Sequence, residues 1–421
     1  MFEIPRGTRD FIPDEMVKRR FVEDRLRHIF QSFNYREVQT PTFEHLDLFT
    51  AKSGDAVIDE IYAFQDKGGR DLALRPELTA PVMRCYVDKL QMEPKPLKLY
   101  YIGNCYRYDR PQKGRYREFM QAGCELIGPS NPEGISELIG LAYTLITDVG
   151  VKDISLEIGH IGLLRKILAR LSLSDDQSKQ LLPLIDKEQF DEIPVLLTDF
   201  SLSEGKISEF MEIIQYSRLD ILRDFFEGDE GSCSEIDRLE NIIDYLGCII
   251  GKDAFTVNMG IVRGLDYYTG VVFEIKAPKL GAEKQICGGG EYQLIGLLGG
   301  RETPTSGFAL GFDRTILAME MENIDIPSVS LDYFIIPVSD AELNASLKIA
   351  SSLRQQNKTV DIDLMRRGIG KALKYASSVH ADHAIIIGSH ELEQREVTIK
   401  NMDTGEQMNV SLKKLVPDVL L

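Results

Sequence analysis

Near the start of the chain, Val17, Phe21, Leu26, Ile29, Phe30 and Phe33 recur at helical spacing, and Pro13 and Asp14 suit a first turn. The pattern predicts a helix over Pro13–Phe33. A strand-like stretch, Tyr35–Phe49, follows, and Pro41 inside it demands an edge, bulge or kink. Arg70–Arg75 alternates apolar and polar, after which Thr79 and Pro81 open a helix to about Leu90. Two strand-like runs, Lys98–Tyr108 and Arg117–Gly128, flank the polar segment Asp109–Tyr116 with its Pro111 and Gly114, which reads as an antiparallel hairpin with a long basic tip. Glu137–Asp148 is helical and Ile154–Ile158 is a short strand.

From about Gly159 to Leu246 helical periodicity dominates, acids are dense and strand signals vanish, as expected of an inserted helical module. Strand patterns resume over Phe255–Arg263 and Tyr267–Lys276; Cys287–Gly290 then reads as a tight turn, and Thr305–Glu320 as a strand feeding a helix. Pro327 and two serines mark a boundary within Asn323–Ser330. Beyond it the strands Tyr333–Val338, Thr359–Leu364 and Ala384–Gly388 alternate with helices Glu342–Gln355 and Lys371–Val379, and a hairpin spans Val397–Leu412. That alternation predicts a small α/β domain. The expected division is 1–325 and 326–421, with the helical insertion at about 160–250.

Composition narrows the class. The chain has 421 residues, 43% apolar and 27% charged, as in a soluble multidomain protein. It lacks both an apolar run of membrane-spanning length and a signal-like N-terminus, so a cytoplasmic protein with no membrane association is expected. Six scattered cysteines form no CxxC pair, and His380 and His383 lack an HExxH frame, so neither disulfides nor a protein-held metal is expected. The net charge of −17 argues against a nucleic-acid partner when taken alone. Its distribution qualifies that reading, although each basic cluster taken on charge alone reads best as a solvated face. Arg107, Arg110, Lys113, Arg115 and Arg117 face only Asp109 as an acid, and Arg366, Arg367, Lys371 and Lys374 have none between them. An acidic body with local basic patches binds a polyanion at chosen places and repels it elsewhere.

Walker-type phosphate loops and the GxSxG hydrolase elbow are missing. In their place stand arginines on strand-like segments: Arg75, Arg107, Arg115, Arg263 and Arg314. Any one of them taken alone reads best as a structural ion pair, but five together point to a phosphate site.

The strings around these arginines carry a resemblance. Tyr106 through Phe119 (YRYDRPQKGRYREF) resembles the second signature motif of class II aminoacyl-tRNA synthetases in its histidyl form. Arg263-Gly264-Leu265-Asp266-Tyr267-Tyr268 resembles a string peculiar to histidyl-tRNA synthetases, and Gly307 through Arg314 is similar to the third class II motif. Arg6–Asp10 and Leu74–Thr79 add two further family strings, and the segments from Asp361 and from Gly370 resemble the family's anticodon-binding domain.

The resemblance implies an α+β fold: a class II antiparallel sheet with flanking helices, a helical insertion and a C-terminal α/β anticodon-binding domain. It implies activation of L-histidine by ATP with Mg2+, followed by transfer to tRNA(His), in a homodimer whose interface involves the Pro41 strand. Arg107 and Arg263 would hold the α-phosphate and Arg314 the γ-phosphate, with Arg115 also serving ATP; Phe119 would stack on adenine and Asp109 accept from its amine. Glu77, Thr79 and Gln121 would receive the α-amino group, and Glu125 with Tyr268, beside Tyr267, the imidazole. Gln112 and Lys113 at the hairpin tip would meet the tRNA acceptor end, and Arg366, Arg367, Lys371 and Lys374 the anticodon loop.

Four positions depart from the family pattern. Asp109 and Asp313 stand where Glu is usual, and Glu291-Tyr292-Gln293 replaces a common Arg-Tyr-Asp, reversing a charge near the imidazole pocket. A catalytically inactive, histidine-sensing regulatory subunit is the rival reading. Such chains generally lack the C-terminal domain and the active-site arginines, and this sequence keeps both.

Overall fold

The computed structural model describes residues 2–53, 55–262, 265, 267–326 and 330–417. The chain forms two compact units, Met1–Ile326 and Pro327–Leu421.

The first unit opens with α1, Pro13–Ser32, whose first turn carries Asp14 and Glu15 and which buries Val22, Leu26, Ile29 and Phe30. The region expected as one strand to Phe49 divides into β1, Arg36–Glu37, and β2, Phe43–His45, before α2, Asp47–Ser53. Pro41 interrupts the ladder, and Leu48 and Phe49 bury themselves on a helix rather than a strand. Next come β3, Ala63–Gln65, β4, Asp71–Leu74, and α3, Thr79–Cys85, which continues as a π-helical turn over Tyr86–Leu90. The long hairpin is β5, Leu97–Tyr106, and β6, Glu118–Ile127. Helix α4, Pro132–Asp148, starts earlier than its apolar pattern indicated, because Asn131 caps it by accepting from the Gly134 amide at 3.3 Å.

After β7, Ser155–His160, the predicted insertion is helical throughout: α5 Ile161–Leu171, α6 Asp175–Asp186, α7 Ile193–Asp199, α8 Glu204–Tyr216, α9 Leu219–Phe225 and α10 Glu230–Ile250. It has its own core around Ile167, Leu181, Phe210, Ile213 and Leu222, while the later part of α10 packs Leu239, Ile242 and Leu246 into the main core beside α4. The strand expected to reach Arg263 stops at Val257, giving β8, Phe255–Val257; Arg263 itself lies outside the described residues. Then follow β9, Tyr268–Lys276, β10, Gln285–Tyr292, β11, Thr305–Gly311, and α11, Phe312–Met321. The glycine-rich stretch expected as a turn lies inside β10, hydrogen-bonded on both sides.

The eight-stranded sheet runs β1-β5-β6-β11-β10-β9-β7-β8, antiparallel from β5 to β7 with a parallel strand at each edge. Its two faces differ. Ala122, Cys124, Leu126, Phe273, Ile275, Phe308 and Leu310 pack under α1, α4 and α10. The opposite face carries Phe119, Gln121, Gly123, Glu125 and Ile127 of β6, because side chains alternate along a strand.

Arg75 corrects one expectation about the strand arginines. It is buried and donates to three backbone carbonyls: Thr40 at 2.9 Å, Pro41 at 3.2 Å and Asn104 at 2.7 Å. It clasps the Pro41 segment to β5 and is engaged by the protein rather than by an anion.

The second unit has five strands, β12 Leu331–Pro337, β13 Val360–Ile362, β14 Ala381–Ile387, β15 Glu396–Asn401 and β16 Gln407–Ser411, in the order β13-β12-β14-β15-β16. β12 is parallel to both neighbours. Helix α12, Leu343–Gln355, covers one face through Ile349 and Leu353, and α13, Ile369–Ser378, supplies Ala372 and Ala376 to the other. Two short helices, α14 Ser389–Glu393 and α15 Leu412–Leu415, complete it. Among the described residues no helix is long and apolar enough to cross a membrane.

Replacing Arg75 with Leu leaves three backbone carbonyls, that of Thr40 buried, without their donor. Denaturant midpoints should show a loss of about 2–4 kcal/mol at an unchanged slope.

Candidate active site

Glycine makes the floor of the site. Gly307 lies opposite Glu125 in the β11–β6 register, and a Cβ there would stand 1.9 Å from a Glu125 carboxylate oxygen. Gly123 lies opposite Tyr101 of β5, and its Cβ would fall 2.6 Å from the Tyr101 hydroxyl. Both side chains therefore lie flat over positions that have none.

Glu125 is fully buried. Tyr101 donates to Oε1 at 3.0 Å and Tyr292 to Oε2, while the Tyr101 hydroxyl is also 3.3 Å from Thr79 Oγ1. Burial pushes the Glu125 carboxyl up to about 8; hydrogen bonds from Tyr292, Thr79 and Tyr101 oppose the shift, and the charge of Glu77 adds to it. A carboxyl raised this far is protonated at neutral pH. Burial likewise raises the phenols of Tyr101, Tyr267, Tyr268 and Tyr292, keeping them neutral hydrogen-bond donors. Tyr267 stacks on Tyr292 with centroids 4.9 Å apart and meets Tyr268 edge-on at 4.7 Å.

Glu77 stands beside this cluster and turns its carboxylate onto the start of α3, accepting from the Thr79 amide at 2.5 Å and the Ala80 amide at 2.9 Å. Gln121 accepts from Cys105 Sγ at 3.3 Å. Arg107 donates to the Pro76 carbonyl at 2.8 Å and lies 5.3 Å from the Phe119 ring centroid. The structure therefore brings Glu77, Thr79, Gln121, Glu125, Tyr267 and Tyr268 together, with Arg107 and Phe119 further along the same sheet face.

A second group forms at the hairpin tip, where Gly114 turns the chain with φ +82°. Gln112 and Arg115 bridge across that turn, Lys113 is exposed, and Asp109 accepts from Arg117 Nε through its backbone carbonyl at 3.1 Å. Gln112, Arg115 and Arg314 all reach Glu283. In the second unit, Arg366 and Arg367 precede α13, whereas Lys371 and Lys374 lie on it. Arg366 has φ +52° and pairs with Asp340 at 3.0 Å, whereas Arg367 is held by buried Asp363 and lies 4.0 Å from the Tyr375 ring. Lys371 and Lys374 are exposed on α13.

Two departures acquire physical accounts. Asp313 is buried and accepts from Arg9 at 2.8 Å, Arg19 at 2.6 Å and the Met120 amide at 2.8 Å, fixing the N-terminal segment against β6. Glu291 takes a two-pronged ion pair from Arg238 of α10, with one contact at 3.0 Å, and accepts from the Val271 amide at 2.8 Å. The insertion thus supplies the positive charge that the strand lacks. Among the described residues no group of three or more His, Cys, Asp or Glu side chains is placed to hold a metal ion.

The histidyl-tRNA synthetase family profile matches residues 7–315, and an anticodon-binding-domain profile matches residues 332–420. The chain belongs to the histidyl-tRNA synthetase family. A histidine–tRNA ligase of Methanocaldococcus jannaschii is 45% identical, the match covering 99% of both chains, and one of Archaeoglobus fulgidus is 45% identical over 98% of both. The apo histidyl-tRNA synthetase of S. aureus superposes with a TM-score of 0.74 at 30% identity, covering 99% of each chain. The architecture is accordingly that of the family, a large mixed-class sheet domain followed by an anticodon-binding domain. Full-length similarity to ligases disfavours the regulatory-subunit reading.

Sequence reasoning missed Tyr101, the Glu125 partnership of Tyr292, and Glu283. The available signal was an aromatic opposite a glycine in paired strands, Tyr101 against Gly123, which marks a side chain laid across the sheet.

Two outcomes follow. Gly307→Ala drives a methyl into Glu125 and should lower histidine-dependent adenylation by about 10²-fold or more, whereas Gly205→Ala, in open space on α8, should leave it intact. Because the folded carboxyl of Glu125 titrates near 8 against an ordinary 4.5, the native state holds a proton between these values that the unfolded state has lost. Stability therefore falls as pH rises through that window, by at most about 1.4 kcal/mol per pH unit. Thermal melts of Glu125→Gln over the same range should lack this component.

Proposed function

We propose that the Glu125 face of the sheet condenses L-histidine with ATP to histidyl-adenylate and pyrophosphate, and then passes the histidyl group to tRNA(His). The observation that carries this reading is the fully buried Glu125 carboxyl under two tyrosine hydroxyls, on the same strand face as Gln121 and Phe119. An imidazole has two polar nitrogens. A pocket of neutral hydroxyls and one protonatable carboxyl satisfies both, and leaves its own groups unpaired against an apolar analogue; such sites discriminate by roughly 10⁴–10⁵.

In this reading Glu125 and Tyr268, beside Tyr267, receive the imidazole, and Glu77, Thr79 and Gln121 the α-amino group. That leaves the substrate carboxylate directed towards Arg107. The carboxylate attacks the α-phosphorus and pyrophosphate departs. The protein's part is to position both substrates and neutralise charge. Arg107 and Arg263 hold the α-phosphate, Arg115 and Arg314 the distal phosphates, Phe119 stacks on adenine and Asp109 accepts from its amine. ATP arrives as its Mg2+ complex, the metal riding on phosphate oxygens with few protein ligands.

Residues 1–325 form the catalytic domain and 326–421 the anticodon-binding domain. Gln112 and Lys113 face the acceptor end, and Arg366, Arg367, Lys371 and Lys374 the anticodon loop, where unstacked bases are readable. The working form is a cytoplasmic homodimer.

ATP–pyrophosphate exchange should require histidine and ignore proline, glycine and threonine. Arg107→Ala should lower it by about 10²–10³. Equal exchange with another amino acid would sink the assignment.

A further inference from the structure

Glu283 ends the short 3-10 helix Pro278–Glu283 between β9 and β10, and its side chain is 14% exposed. Oε1 accepts from Gln112 Nε2 at 2.6 Å and lies 3.3 Å from Arg115 Nη2; Oε2 is held by Arg314 Nη2. Arg314 also donates Nε to the Gly114 carbonyl at 2.9 Å and Nη1 to the Gln285 carbonyl at 2.8 Å. The hairpin tip, α11 and the segment leading into β10 are thus joined at one carboxylate. Two guanidinium groups and an amide converging on two oxygens form the donor set that a phosphate takes.

We propose that Glu283 is a built-in substitute for a phosphate of ATP, which the incoming nucleotide must displace, and that this competition sets the affinity for ATP. The inference rests on the reading that Arg115 and Arg314 serve ATP. Without nucleotide, two arginines drawn from the hairpin tip and α11 would repel each other; the carboxylate neutralises both and keeps the tip folded against α11. When the polyphosphate arrives, its higher charge and larger number of acceptor oxygens win the same donors. Part of the binding energy then goes into releasing Glu283, which weakens ATP binding in the ground state.

The experiment is histidine-dependent ATP–pyrophosphate exchange by the full-length protein, wild type against Glu283→Gln and Glu283→Asp, at several Mg2+ concentrations. Removing the charge should lower KM for ATP by about three- to tenfold and leave KM for histidine where it was. Glu283→Asp, which keeps the charge, should stay close to wild type. In thermal melts the nucleotide-free Glu283→Gln protein should be less stable than wild type, yet gain more from added ATP. An unchanged KM for ATP in Glu283→Gln overturns the inference. So does a raised KM with a steeper Mg2+ requirement, which would make Glu283 a metal ligand. Absence of histidine-dependent exchange in the wild type would instead bring down the reading of the site, and this inference with it.

Discussion

A carboxyl group withdrawn wholly from water needs hydrogen-bond partners whichever proton state it holds, and the middle of the large sheet is organised around supplying them to Glu125. The glycine opposite it leaves room for the carboxyl to lie down. Tyrosines from β5 and β10 reach it from both sides, and Thr79 adds a third hydroxyl from α3. Strands β5, β6 and β10 and helix α3 must meet for this to hold. β6 also presents Phe119 and Gln121, and the chain leaving β5 carries Arg107, so these groups share one frame with the buried carboxyl.

The arginines divide by what they face. Arg75 is consumed by backbone carbonyls, Arg9 and Arg19 by Asp313, and Arg238 by Glu291. Each ties a peripheral segment to a strand of the sheet. Arg107 makes one backbone contact beside an aromatic ring, and Arg115 remains close to half exposed. The first group determines where the second group stands.

Much of this was legible beforehand. Helix α1, the β5–β6 hairpin, the helical insertion and the alternating C-terminal unit announce themselves through periodicity, and the residues gathered around Glu125 through short strings. What escaped depends on contacts distant in sequence. Cys287–Gly290 looks like a turn because glycine favours turns, yet sheet pairing on both sides makes it a strand. Leu48 and Phe49 fit a strand or a helix equally well until Pro41 breaks the ladder. The charge at Glu291 reads as an anomaly until α10 delivers Arg238, and no local pattern reveals that Glu283 meets the hairpin tip.

The order of strands across the sheet bears on how the chain is made. β6 pairs on one side with its hairpin partner β5 and on the other with β11, at residues 305–311, which leave the ribosome only after the entire helical insertion. Until then the inner edge of β6 is bare, with its amides and carbonyls unpaired and Cys124 and Leu126 lacking part of their final packing. A nascent chain halted within the insertion therefore presents a sticky strand edge, open to pairing with any other extended chain. The strand that carries Glu125 is the one in this sheet that waits longest for its neighbour, so shielding of nascent intermediates favours its correct pairing.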